Sequence, residues 1–315
     1  MDYNIGVNKN DKYLYYIAKI VFENYKGREI VTWISNDKFE NILWKCFNIK
    51  VSFSVSQRKD TCDGKRIKSF DIIKNNRDKY YLVCIDRQYE ESLENELNSY
   101  GYYDIKDFVF VRHKPIVLNN LSCNTNYADV YGNTIKIEST DKKLGHIIFR
   151  GGNNEILIGS NVKGTERCTF DISSNFSFWM GSGCCISDAL KVDCFGSKGS
   201  AFIKIYDNCK FSNALFRVYV SPKESGICIG EGTSAECNFE VHANDGKRVI
   251  AGRDCMFSHN VSLWSGDGHP VFDTETGQII NSNYDRKNNK NKIFIGDHVW
   301  VGYGAFLLKI GRAHV

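Results

Sequence analysis

The sequence predicts two units of different class, a small α/β unit followed by an all-β parallel coil, and three observations predict it. Apolar runs alternate with amphipathic stretches up to about residue 111, the character changes across residues 118–127, and beyond that an apolar position returns every six residues. A period of six suits neither a helix nor an ordinary alternating strand. It suits a prism of short flat strands joined by tight turns. With 315 residues, each unit is long enough to bury its own core.

In the first unit, residues 14–25 read as a helix, 30–35 as a strand, 39–47 as a helix and 51–55 as a strand. Residues 80–85 read as a strand. Residues 89–100 form a helix with Tyr89, Leu93, Leu97 and Tyr100 on one face and Gly101 as its stop, and residues 108–111 close as a strand. Such alternation predicts a layered α/β unit with a parallel sheet. No glycine-rich turn follows the first strand in IVTWISNDKFENIL, so a dinucleotide pyrophosphate site is not expected. By layout, residues 1–120 resemble the degenerate Rossmann-like segment that precedes acyltransferase domains in some bacterial surface-glycan proteins.

Composition narrows the function. Lys+Arg 41 against Asp+Glu 37 leaves +4 with no dominant block, which argues against a nucleic acid or an anionic membrane as partner. There is no signal peptide pattern and no run of 18 apolar residues, so the expectation is a soluble, cytoplasmic protein without membrane insertion. The 12 cysteines include no CxxC pair and read as reduced thiols.

Six segments align in the second unit: I158-GSNV, M180-GSGC, I205-YDNC, I229-GEGT, A251-GRDC and I295-GDHV. The apolar position then recurs at Met180, Ile186 and Val192; at Ile205 and Phe211; at Ile229, Ala235 and Val241; at Ala251, Phe257 and Leu263; and at Ile295, Val301 and Leu307. Copies lie 22, 25, 24, 22 and 44 residues apart, which reads as coils of 18 with insertions, the largest between Ala251 and Ile295. Four places after the apolar residue come Val162, Cys184, Cys209, Thr233, Cys255 and Val299, then Ala305 one side later, small groups expected to stack inside the prism.

His269 breaks this pattern. Counting by six from Ala251 places a buried aliphatic there, yet the position holds a histidine between Gly-Asp-Gly and Pro, where the longest insertion begins. A scaffold that departs from its own rule at one coil commonly does so for a site. Imidazole suits proton abstraction from an alcohol near neutral pH. Asp267 or Asp273 is placed to orient the ring, although both also suit solvated turns, and His259 and Asn260 share the same coil and can reach the same cleft.

Two segments, CMFSHNVSLWSGDGHPVFDTETGQIIN and IFIGDHVWVGYGAFLLK, resemble the hexapeptide-repeat, left-handed β-helix acyltransferases, nearest to the sugar O-acetyltransferases of bacterial capsule and lipopolysaccharide synthesis. The motif histidine matches His269 and the motif tryptophan matches Trp300, with Val271 and Val301 in place of isoleucines. The resemblance implies a left-handed β-helix over residues 121–309 and transfer of an acetyl group from acetyl-CoA to a sugar or glycan hydroxyl. It implies His269 as general base, with Trp300 and Asp267 as further catalytic residues. His259, Asn260, Trp264 and Asp273 are expected on the acceptor, Gly302, Tyr303 and Ala305 on the co-substrate, and the protein is expected as a homotrimer. Spacings of His259, His269 and His298 do not resemble those of β-helix carbonic anhydrases, so no metal is expected. Alternatives are N-acetyl transfer to an amino sugar nucleotide and a β-helix scaffold without activity. After Lys309 the hexapeptide pattern breaks off, and residues 310–315, IGRAHV, are read as a non-native tail on an unfinished prism.

Overall fold

In the computed structural model, the described residues are 12–33, 37–56, 67–74, 76–88, 91–112, 114–138, 143–196, 199–220, 224–244, 246–266, 273–276 and 292–308. The chain divides into two compact units. One holds Met1–Pro115 with Val130–Gly132 and Arg150–Gly152; the other holds Ile116–Asp129, Asn133–Phe149 and Asn153–Val315.

The first unit runs α1 (Lys12–Asn24), β1 (Glu29–Trp33), α2 (Asp37–Phe47), β2 (Val51–Ser56), β3 (Ile67–Ser69), β4 (Tyr80–Gln88), α3 (Glu91–Ser99) and β5 (Phe108–Arg112). The sheet is parallel throughout, in the order β3-β2-β1-β4-β5. Burial on both faces explains why the strands read as continuous apolar runs: Ile30, Val31 and Trp33 are all inaccessible, and Thr32, the polar exception, hydrogen-bonds its neighbour Ser54 at 2.9 Å. Along α3, Leu93 and Leu97 are buried one turn apart, and Gly101 with φ +82° follows the helix. Ahead of the strands, buried Asp107 pairs with Arg28 at 2.8 Å and Arg77 at 3.0 Å, joining the segments that enter β1, β4 and β5. The short β3 was not anticipated, since three residues carry no readable period.

The second unit is a stack of parallel strands on three faces. Face A comprises Thr134–Ile137, Glu155–Ile158, Phe176–Met180, Ala201–Ile205, Ser225–Ile229, Arg248–Ala251 and Lys292–Ile295, in register so that Ile137, Ile158, Met180, Ile205, Ile229, Ala251 and Ile295 lie one above another. Face B carries Ile186, Phe211, Ala235, Phe257 and Val301 in the same way. Face C carries Phe170, Val192, Phe216, Val241, Leu263 and Leu307. Face A and face C each begin with an antiparallel pair, Asn126–Ala128 on Thr134–Ile137 and Ile116–Leu121 on Leu144–Phe149. The coil thus starts well before the first copy aligned by sequence.

Corners explain much of the remaining sequence. Between faces A and B the chain turns through a left-handed residue at Asn161, Gly183, Asn208, Gly232, Asp254 and His298, with φ between 52° and 70°. Asn, Asp and Gly tolerate this region, so these columns vary among few residue types. Next to them the expected ladder of small residues is buried at Val162, Cys184, Cys209, Thr233 and Cys255. Cys184, Cys209 and Cys255 donate to the carbonyls of Tyr206, Gly230 and Gly296 at 3.1–3.2 Å, and Thr233 does the same to Gly252 at 3.0 Å. Each donor bonds the coil above, which is why Thr substitutes for Cys there.

Candidate functional site

The coils differ chiefly at the corner from face C to face A. There the inward residues are Phe170 and Met180, Val192 and Ile205, Phe216 and Ile229, Val241 and Ala251, and finally Leu263 and Ile295, always more than six apart. Insertions therefore collect at one corner of the stack, and the longest leaves it directly after Ser262–Trp264. His269 and Asp267 lie in that insertion, outside the described residues.

The chain that leads into it is firmly held. Ser265 is buried, its N–H donates to the His242 carbonyl at 3.0 Å, and its hydroxyl donates to the same carbonyl at 3.1 Å while accepting from Asn244 N–H at 3.3 Å. Further along, Asp273 is half-buried and engaged locally: Oδ1 accepts from the N–H groups of Glu275 and Thr276 and from the Thr276 hydroxyl. The Thr276 N–H, followed by the Thr276 hydroxyl and the Glu275 N–H, lowers its pKa.

Trp300 sits on face B, in register with Met256, and is 71% exposed. Its indole points away from the core, so the prism does not need it for packing. At the next corner, between faces B and C, Asn260 adopts φ 58° and donates from Nδ2 to the Tyr303 hydroxyl at 3.1 Å, and Asn238 donates to Asn260 at 2.8 Å. Gly304 N–H donates to the His259 carbonyl at 3.0 Å across the same corner. A side chain at Gly302 or Gly304 would meet no atom within 4 Å, so space lies open beside Tyr303. Ala305 is half-buried against the core. Trp264 lies on the outer surface of face C, stacked on His242. Of the expected residues, then, the structure joins His259, Asn260 and Tyr303 at one corner, with Trp300 and Trp264 on the faces either side.

His298, weighed as a metal ligand, occupies the corner between faces A and B, a different corner from His259, with Nδ1 3.8 Å from Asp254 Oδ2. Asp297 beside it accepts from Arg253 N–H at 2.8 Å and Arg253 Nη2 at 3.0 Å. Among the described residues no group of three or more His, Cys, Asp or Glu side chains is gathered as for a metal ion.

Sequence reasoning missed His242. Burial, reinforced by the Arg217 charge, pushes its pKa down to about 4, so the imidazole is neutral near pH 7. A signal existed: the residues that follow Val192, Phe216, Val241 and Leu263 are Asp193, Arg217, His242 and Trp264, a polar and aromatic column one step out of phase with the core.

Three flat faces of parallel strands around a continuous apolar core define a parallel β-helix protein. Comparison with known proteins narrows this further. The chain is 33% identical over 108 residues to a polysialic acid O-acetyltransferase of Escherichia coli O1:K1, covering 34% of this chain and 31% of that protein. It is 24% identical over 142 residues to a polysialic acid O-acetyltransferase of Neisseria meningitidis, covering 39% of this chain and 62% of that protein. The crystal structure of the polysialic acid O-acetyltransferase OatWY matches with TM-score 0.41 and 23% identity, over 50% of this chain and 68% of that one. No family model matches the chain. The homologues of this protein are thus sugar O-acetyltransferases, at modest identity, and the chain spans less than two thirds of the length of either curated relative.

No helix among the described residues is long and apolar enough to cross a membrane.

Proposed function

We propose that the protein transfers an acetyl group from acetyl-CoA to a hydroxyl of an acidic surface glycan or its precursor, with polysialic acid the first acceptor to try. The observation that carries this reading is the sequence Ser-Gly-Asp-Gly-His-Pro-Val, residues 265–271, which opens the longest insertion between repeats in a chain whose relatives are polysialic acid O-acetyltransferases.

In the proposed reaction neutral His269 takes the proton of the acceptor hydroxyl as its oxygen attacks the thioester carbonyl. A backbone N–H stabilises the oxyanion, the C–S bond breaks as the intermediate collapses, and the departing CoA thiolate takes a proton, so that no acyl-enzyme forms. Asp267 orients the imidazole. Exposed Trp300 contributes an apolar wall, and the open corner at Gly302, Tyr303 and Gly304 leaves room for the co-substrate. His259, Asn260, Trp264 and Asp273 are assigned to the acceptor, and a homotrimer closes the cleft between neighbouring coils. The 3-2-1-4-5 parallel order supports reading the first unit as a degenerate Rossmann-like domain.

The test is incubation with acetyl-CoA and oligosialic acid, following CoA release and the mass of the glycan. Release coupled to one added acetyl per glycan hydroxyl supports the reading. CoA release no faster than the blank across acidic and neutral glycans rejects it.

A further inference from the structure

One column on the outer surface of face C carries, below Trp264, three residues that the proposed transfer does not use. Asp193, Arg217, His242 and Trp264 follow one another up the stack at the spacing of adjacent strands, about 4.8 Å. Buried Asp193 accepts from Arg217 Nη2 at 2.9 Å and lies 3.3 Å from Lys191 Nζ. The His242 ring lies almost flat on the Trp264 ring, with centroids 4.5 Å apart and planes 12° apart, and Trp264 rests in turn on Phe306 at 5.3 Å. His242 Nε2 and Trp264 Nε1 are both buried without a hydrogen-bond partner. With Glu240 Oε2 no nearer than 3.7 Å to His242 Nε2, the two side chains are joined by contact between their rings.

The backbone after Trp264 is tied to the same coil. Ser265 bonds the His242 carbonyl twice and Asn244 N–H once, and Gly266 lies so close to Asn244 that a Cβ there would come within 2.9 Å of Asn244 Cβ. Three residues later comes His269.

We propose that the His242–Trp264 stack and Ser265 form the seat that fixes the root of the insertion carrying His269, which makes His242 and Ser265 positioning residues for the transfer step. The inference rests on the reading of His269 as the base. A general base works only when held close to its productive geometry, and a displacement of about 1 Å costs roughly 100-fold in rate. The insertion departs from the prism at residues 264–266, which meet residues 242–244. Because the imidazole acts through its face, another flat ring serves in its place.

The test combines kinetics with hydrogen exchange on the full chain for His242→Ala, His242→Phe and Ser265→Ala. Each variant is first checked by circular dichroism and assayed well below its melting temperature. The expected result is that His242→Ala and Ser265→Ala lower kcat roughly 10- to 100-fold, with KM for acetyl-CoA within about 2-fold, and that exchange rises in peptides covering 262–276 and not in those from face A. His242→Phe restores kcat and exchange toward wild type. Wild-type exchange in 262–276 for folded His242→Ala overturns the proposal, as does a His242→Phe variant no better than His242→Ala. Wild-type turnover by His269→Ala would instead defeat the general-base reading, and the exchange measurement still decides the seat.

Discussion

Asn260 Nδ2 donates to the Tyr303 hydroxyl at 3.1 Å, joining two successive coils at the corner where the expected co-substrate residues cluster. The bond is exposed, so its removal costs the fold little, about 0.5–1.5 kcal/mol at most. Tyr303→Phe is expected to leave the melting temperature within a few degrees of wild type and to raise KM for acetyl-CoA. An unchanged KM would remove Tyr303 from the co-substrate.

A pH dependence follows from His242. Its folded pKa is about 4, below the ordinary value of 6.5, because burial first and Arg217 second disfavour the charged ring. Above pH 6.5 the ring is neutral in both folded and unfolded chains, and the contribution to stability is complete. Between pH 6.5 and 4 the unfolded chain binds the proton and the folded one does not, so stability falls as the pH is lowered. Denaturant midpoints across that window are expected to fall less steeply in His242→Phe. Parallel slopes would show that the ring titrates normally.

Thiol chemistry separates packing cysteines from reactive ones. Burial pushes Cys168 and Cys194 up to about 12, and the hydrogen bond with Cys184, followed by burial, raises Cys209. Treatment of the native protein with a thiol-specific disulfide reagent is expected to leave Cys168, Cys184, Cys194, Cys209 and Cys255 unlabelled until denaturant is added. Rapid native labelling of Cys209 or Cys255, located by peptide mapping, would contradict the stacked ladder.

The prism was legible in the sequence wherever the chain obeys the six-residue rule, because the inward residues there are apolar and most corners between faces A and B carry Asn, Asp or Gly. Met180, Ile186 and Val192 are all buried on successive faces, as the count requires. Counting by six from Ile205 and Phe211 leads next to Arg217, whereas the inward residue is Phe216, since that coil turns the corner one residue early. The start of the coil was illegible for a different reason. Strands Ile116–Leu121 and Asn126–Ala128 pair antiparallel, so the hexad has not yet begun. His242 escaped because its environment is made by residues 22 to 25 positions away, one coil below and one above, and no local period records that.

Trp300 and His269 give the sharpest test of the site, because the structure separates stability from function at Trp300. With 71% of its surface exposed, its removal leaves no cavity, and Trp300→Ala is expected to change stability by less than about 0.5 kcal/mol. Any loss of turnover in that variant then belongs to the site and not to the fold. For His269→Ala the expected loss is roughly 10²- to 10⁴-fold in kcat, the range for removal of a general base, with the β-sheet circular dichroism of wild type. The two losses also differ in their response to pH. A missing base removes the acid limb of the kcat/KM profile, since the residue whose protonation stops the reaction has gone, whereas loss of the Trp300 wall leaves that limb in place and lowers the plateau. Profiles from pH 5 to 9 on both variants check this. An acid limb that persists unchanged in His269→Ala would assign the base to another residue, and a Trp300→Ala variant with wild-type plateau would return Trp300 to the solvent-facing surface of the coil.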